Sequence, residues 1–292
     1  MTGPISVFDR RLLRRRRDRA AAGLDDVDFL FREAAERLAD RLDDVTRRFP
    51  VALDLGCHTG LLGAALGGRG GIETLVSCDL SAAMAARAPG PRLVADEEAL
   101  PFADASVDLV LSCLSLHWVN DLPGALMQIR RVLKPDGLLL ASFLGGATLT
   151  ELRQAWLEAE DRIEGGVGPR VSPFADVRDA GALLQRAGFA LPVVDSDMLT
   201  VTYADPLRLM MEIKAMGESN AALEQRRGFT RRATLAEAAR TYRARFAGPD
   251  GRVPASFEII TMTGWRPHPT QPKPLAPGSG QVNLRDVLGR DS

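Results

Sequence analysis

Cysteine, histidine and lysine are all scarce in this sequence, and each scarcity narrows the chemistry available. The three cysteines, Cys57, Cys78 and Cys113, show no C-x-x-C spacing. Each falls at the end of an apolar stretch and reads as a buried thiol in a reducing compartment. The only histidines are His58, His117 and His268, with no H-x-D spacing and no G-x-S-x-G elbow, so hydrolase chemistry has no support. His58 and His117 both follow strand ends and could face one cavity, as in a two-histidine, one-carboxylate iron site. Lining a cavity and packing against Trp118 explain them more simply, and no metal is expected. No apolar run approaches the ~18 residues of a membrane span, and no signal-peptide core is visible. Only Lys134, Lys214 and Lys273 among the 37 basic residues are lysine, and the net charge of −1 gives no bulk attraction to nucleic acid. What remains is a globular chain of 292 residues, 46% hydrophobic, long enough for one large domain or one domain with an insert.

The most informative stretch is Val51–Gly60. A short apolar strand, Val51–Leu55, meets a glycine turn, and an apolar helix starts at Leu61. Glycines let the backbone approach a ligand, and the following helix N-terminus offers free N–H groups. The acid Asp54 precedes the first glycine in D-x-G-x-x-x-G, so this is not the G-x-G-x-x-G dinucleotide fingerprint. An acid there suits a cationic amino acid better than a pyrophosphate.

Strand–helix alternation continues. Expected strands are Thr74–Cys78, Arg92–Ala95, Val107–Cys113 and Leu138–Phe143, with helices Ser81–Arg87, Leu122–Val132 and Leu149–Asp161 between or after them. This implies a parallel sheet with right-handed crossovers. A helix over Asp179–Ala187 stops at Gly188, and β-like runs Val193–Tyr203 and Ser256–Gly264 complete the sheet. Phe29–Val45 carries apolar residues at helical spacing and is expected to cover the sheet. The arginine-rich segment Asp9–Arg19 contains seven arginines and reads either as a solvated helical face or as a docking surface for an acidic partner. The expected organisation is an N-terminal helical segment, 1–47, then the α/β domain, 48–266, with a helical insert over the site at 206–250. The Pro- and Gly-rich stretch 267–292 is expected to be disordered.

Acids recur at successive strand ends. Asp79 closes the second strand, where it can accept hydrogen bonds from both hydroxyls of a ribose. Asp96 closes the third, suited to an adenine amino group. With Asp54, Gly56 and Gly60, these residues resemble the ordered motifs of class I S-adenosylmethionine (SAM) methyltransferases, departing from them at His58, where a glycine is expected. Val107–Trp118 resembles the fourth motif of that superfamily, and Leu133–Gly137 the turn before its fifth strand. The resemblance implies a Rossmann-like class I fold with a seven-stranded, mostly parallel sheet. It also implies S-adenosyl-L-methionine as cofactor, held by Asp54, Gly56, Cys57, His58, Gly60, Asp79, Leu80, Asp96, Glu97, Ser112, Leu114 and His117.

Segments outside these motifs are more specific. Ala95–Phe102, Leu114–Pro123, Gly145–Arg153, Ser172–Phe174 and Met216–Asn220 resemble the complex I assembly factor 5 family, from Phe8 to about Trp265. That resemblance implies a protein-arginine hydroxylase acting on the terminal iron–sulfur subunit of respiratory complex I, working in the cytoplasm with peripheral access to the inner membrane. It names no catalytic residue. An arginine substrate should meet an acidic rim, with Glu151, Glu212 and Glu218 as candidates. A SAM-dependent O-methyltransferase of the malonyl-carrier-protein type is the alternative, and a non-catalytic SAM-binding assembly factor a third. A malonyl group would need an arginine clamp, for which Arg153 is available.

Overall fold

The computed structural model describes residues 6–174, 176–226 and 228–271. Its elements run in chain order: α1 (Arg10–Ala20), α2 (Phe29–Asp40), β1 (Val51–Leu55), α3 (Leu61–Ala65), β2 (Thr74–Asp79), α4 (Ala82–Ala85), β3 (Arg92–Val94), β4 (Val107–Cys113), α5 (Leu122–Val132), β5 (Leu133–Leu144), α6 (Thr150–Glu164), α7 (Val177–Arg186), β6 (Ala190–Tyr203), α8 (Pro206–Ala215), α9 (Arg232–Phe246) and β7 (Val253–Trp265). One seven-stranded sheet runs β3-β2-β1-β4-β5-β7-β6. Strands β1 to β5 pair in parallel, and β7 pairs antiparallel with both β5 and β6.

Alternation along β1 sends Ala52 to one face of the sheet and Leu53 and Leu55 to the other, where they join two separate apolar layers. The first layer holds α2, α6 and α9, and the second holds α5 and α7. The order reverses at β1, which lies between β2 and β4. In an open α/β sheet this switch point opens a crevice beyond the strand C-terminal ends.

Several boundaries differ from the sequence reading, three of them with a visible local cause. Helix α2 stops at Asp40, so Leu42 is buried from a turn rather than from a helix. Strand β5 begins at Leu133, with Asp136 at φ 63° and a register shift opposite Val107–Leu109, so the expected turn is an irregularity within the strand. Helix α6 runs on to Glu164, where Gly165 at φ 68° ends it. The three thiols are buried and unbonded to one another, and burial raises the pKa of each. The expectation for the C-terminal stretch concerns mainly residues 272–292, which lie outside the described residues. No described helix is long and apolar enough to cross a membrane.

Candidate functional site

Beyond the end of β1 the chain turns through Gly56 at φ 73°, His58 at φ 49° and Gly60 at φ 87°. All three lie in the left-handed region, which is inexpensive only for glycine. A Cβ at Gly56 would collide with the Ser115 hydroxymethyl group, and one at Gly60 would come within 2.7 Å of Pro89. The turn is pinned to β2: the N–H groups of Gly56 and Cys57 donate to the Cys78 carbonyl at 2.8 and 2.9 Å.

Asp79 ties this turn to the next segment of chain. Its carboxylate accepts the His58 N–H at 3.0 Å and the Ser81 N–H at 2.8 Å, joining the glycine turn to the start of α4. Asp54 is equally buried, yet neither of its carboxylate oxygens has a hydrogen-bond partner. Burial, helped by the nearby Asp79 charge, pushes the Asp54 pKa up to about 7. A buried acid without a donor favours its neutral form and ionises more readily when a cation is brought beside it.

The remaining candidates gather around these two acids in different ways. The His58 ring packs on Phe31 of α2 at 4.5 Å between centroids, and its Nε2 lies 3.3 Å from the Leu114 carbonyl. That contact makes Nε2 the protonated nitrogen and leaves Nδ1 an unpartnered acceptor. Burial, then the Arg17 charge, lowers the His58 pKa and keeps the ring neutral. Ser112 donates to the Leu55 carbonyl at 2.7 Å, fastening β4 to the end of β1. Leu80 packs against the small cluster formed by Phe8, Leu13, Trp118 and Ala221. Asp96 is half-exposed and accepts the Glu98 N–H at 3.0 Å. Glu97 is fully buried and accepts the Ser115 hydroxyl at 2.7 Å. Burial alone would raise the Glu97 pKa, but Arg10 and Arg17 outweigh it and hold the carboxyl at about 2.

These arginines are the main feature that sequence reasoning missed. The arginine run is neither wholly solvated nor wholly an outward docking face. Arg10 pairs with Asp96 at 2.7 Å and with Glu97, while the fully buried Arg17 lies 3.4 Å from Asp79 and 3.2 Å from the Ser115 hydroxyl. A seven-residue spacing is close to two helical turns and was the available signal.

His117 belongs to a different part of the site. Its Nε2 lies 3.2 Å from Glu218, which also accepts the Trp118 indole N–H at 2.7 Å. The two histidine rings thus have different hydrogen-bond partners, and no group of three His, Cys, Asp or Glu side chains among the described residues is placed to hold a metal ion. Burial would raise the Glu218 pKa, but His117 and Arg17 reverse this and keep it anionic, with one carboxylate oxygen still unpartnered.

Glu218 lines a cavity of about 230 Å³ together with Trp156, Phe174, Arg16, Arg170 and Arg226. The rim is thus not simply acidic. Arg170 pairs with Glu160 and Arg226 with Glu164, while Arg16 donates to the Ser219 and Asn220 carbonyls. The other rim candidates are spent elsewhere: Glu151 accepts from Ser256, and Glu212 from the Tyr203 hydroxyl. Arg153 donates to the Gly146 and Thr148 carbonyls at the start of α6.

Comparison with known proteins places this geometry. Residues 53–141 match the family model of a methyltransferase domain. The mitochondrial arginine-hydroxylase NDUFAF5 of Danio rerio is 43% identical over 290 residues, spanning 97% of this chain and 90% of that protein. The chain belongs to the NDUFAF5 family. The malonyl-[acyl-carrier protein] O-methyltransferase of Halorhodospira halophila is 40% identical over 295 residues, spanning 98% of this chain and 97% of that protein. Relatives of the NDUFAF5-family chain thus carry two differently named activities over the same length. Among solved structures, phosphoethanolamine N-methyltransferase 2 of Haemonchus contortus, in complex with phosphomonomethylethanolamine and S-adenosylhomocysteine, superimposes with a TM-score of 0.55 at 15% identity. The match covers 88% of this chain and 60% of that one, and shows a shared class I methyltransferase fold.

Proposed function

We propose that this protein binds S-adenosyl-L-methionine at the β1–β4 crevice and hydroxylates an arginine of a protein substrate, a subunit of respiratory complex I, during its assembly. The cofactor, when bound, supplies a sulfonium-activated methyl group and a positive charge. Asp54, with two buried and unpartnered oxygens, fits a cationic amino acid. Gly56, Cys57, His58 and Gly60 would hold the same end of the cofactor, Asp79 and Leu80 its ribose, and Asp96 and Glu97 its adenine. Ser112 and Leu114 would support that floor, and His117 would face the substrate side. A complex I subunit as substrate brings this protein to the membrane surface as a peripheral partner.

Glu218 carries the substrate reading. It is a buried anion with one free carboxylate oxygen beside Trp156 and Phe174, and a guanidinium pairs with carboxylate and aromatic faces together. Hydroxylation inserts one oxygen atom into a substrate bond to hydrogen; with dioxygen as the oxidant, the other oxygen atom leaves as water, and a separate reductant supplies two electrons with two protons.

One observation favours the second reading, O-methylation of a malonyl-carrier protein: three arginines line the same cavity. A carboxylate substrate could recruit them, although each already has a partner. Intact-mass measurement of the complex I subunit from cells lacking this gene separates the readings. Loss of one oxygen supports hydroxylation, and loss of one methyl supports methyl transfer to the subunit. Unchanged mass with failed assembly makes the protein a non-catalytic factor. Growth of a biotin auxotroph rescued by this gene would establish the malonyl reading instead.

A further inference from the structure

Helix α1 lies against the acids assigned to the cofactor, and its geometry suggests a removable cover rather than a fixed wall. The helix starts at Asp9, whose side chain caps the Leu12 N–H at 2.9 Å, and Leu13 anchors it beside Phe8 and Trp118. On the inward side, Arg10 and Arg17 between them meet Asp96, Glu97 and Asp79. Arg17 is held loosely for a buried cation. It lies 3.4 Å from Asp79, 3.8 Å from Glu97 and 3.2 Å from Ser115, and its Nε has no partner. A well-made arginine–carboxylate pair is bidentate and shorter. Burying the guanidinium is tolerable only because three acids, Asp79, Glu218 and Glu97, act on it.

Those acids are also the groups a nucleoside would need, since ribose hydroxyls and an adenine amino group are donors seeking the same carboxylates. Asp79 already accepts two backbone N–H groups, so Arg17 and a ribose compete for what remains. We propose that α1 is a gate on the cofactor site, with Arg17 and Arg10 standing in for the donors of a cationic nucleoside until that ligand displaces them. The proposal rests on the reading of Asp79 and Asp96 as cofactor ligands. A cationic ligand restores the charge that Arg17 takes away when it leaves, so exchange costs less than with a neutral nucleoside. The same helix holds the loop carrying Glu218: Arg16 donates to the Ser219 carbonyl at 2.7 Å, and the Asp9 N–H to the Ala221 carbonyl at 2.8 Å. Opening the gate therefore loosens the wall of the substrate cavity as the cofactor loads.

Calorimetry with S-adenosyl-L-methionine on the full chain tests this, with two variants. Arg17→Ala removes the competitor and should bind about tenfold tighter or better. Asp9→Ala removes only the helix cap, leaves Arg17 in place, and should bind roughly threefold to tenfold tighter. On the wild-type protein, trypsin should cut the arginine-rich α1 faster once the cofactor is added. Unchanged or weaker binding by both variants while the wild type binds, or slower cleavage with cofactor, overturns the gate and leaves the cofactor reading standing. If neither the wild type nor Arg17→Ala binds the cofactor, the cofactor reading falls and the gate with it.

Discussion

The crevice at the strand ends and the cavity beside Glu218 both use buried charge, but they balance it differently. In the crevice, Asp79 and Glu97 share Arg17 as their fully buried cation, and neither oxygen of Asp54 has a hydrogen-bond partner. In the cavity, Arg170, Arg226 and Arg16 each have a partner, and only one oxygen of Glu218 is free. The crevice acids stand where backbone geometry puts them, at successive ends of parallel strands. The cavity is instead assembled by side chains from α1, α6, α8 and the loops 165–174 and 216–226. A site held by backbone can keep charge in excess for a ligand, because the sheet core supports its shape. A site held by ion pairs has to neutralise itself first.

The sharpest way to break this contrast is Asp79→Ala. The substitution leaves the N–H groups of His58 and Ser81 without their acceptor and Arg17 short of a counter-charge. Loss of one member of a buried charged network costs about 3–5 kcal/mol. Urea denaturation should show a loss of that size, with cofactor affinity falling by tenfold or more. A well-folded variant with unchanged affinity would remove Asp79 from the centre of the crevice.

Asp54 gives the next largest effect, and it depends on pH. Its folded pKa of about 7 lies above the ordinary value of 3.8, so the native state binds a proton that the unfolded chain releases between those values. The sign is therefore inverted relative to a salt-bridged acid. The native state is favoured below the unfolded pKa, and that advantage fades as pH rises through 7, by on the order of 4 kcal/mol. Glu97, held at about 2 against an ordinary 4.5, works oppositely, adding stability that is lost as pH falls through 2. The difference between wild type and Asp54→Asn isolates the first effect. Wild type should lose stability relative to the variant between pH 4 and 7. A cation at Asp54 would need the ionised form, so cofactor affinity should rise with pH up to about 7. Identical pH profiles for the two proteins would mean that Asp54 is paired after all.

The same distinction decides how much of the molecule is legible in the sequence. The glycine turn, the acids at the ends of β1 and β2, and the alternation of strands and helices are local patterns, and residues 51–60 contain nearly all of the first feature. Arg10 and Arg17 were not legible, because a polar residue on a helix reads as solvent-facing unless acids from other elements are known to meet it. Their partners lie 62 to 98 positions away in the chain. Glu218 was legible as a candidate but not as distinct from Glu151 and Glu212, since only tertiary structure shows which of the three keeps a free oxygen beside the cavity. The acidic rim failed for a related reason: substrate charge alone cannot reveal which arginines of the host chain are neutralised at home.

Glu218→Gln sharpens the comparison from the cavity side. Glutamine keeps an acceptor for the Trp118 and His117 N–H groups but deletes a charge that acts on the buried Arg17, so stability should fall by about 1–3 kcal/mol. Affinity for an arginine-containing substrate peptide should fall roughly tenfold, the loss of one charge-assisted contact, while cofactor affinity stays put. A malonyl-carrier substrate should respond with the opposite sign, because an anion is removed from beside an anionic group. Tighter binding of the malonyl substrate, with no loss for the arginine peptide, would transfer the cavity to the methyltransferase reading.

The smallest expected effect is at His58, where three modest terms nearly cancel. Glycine relieves a left-handed backbone at φ 49°, worth about 1 kcal/mol for a non-glycine residue. Against this, the ring's packing on Phe31 and its contact with the Leu114 carbonyl are lost, together about 1–2 kcal/mol. Added glycine freedom in the unfolded chain takes a further ~0.5–1 kcal/mol. His58→Gly should therefore be less stable by about 1 kcal/mol in urea denaturation. Cofactor affinity should remain within about threefold of wild type, because the backbone N–H that reaches Asp79 is retained whichever side chain is present. A tenfold or larger loss of affinity in a folded variant would instead assign the unpartnered Nδ1 of His58 to the cofactor, as a second acceptor beside Asp54 for the same cation.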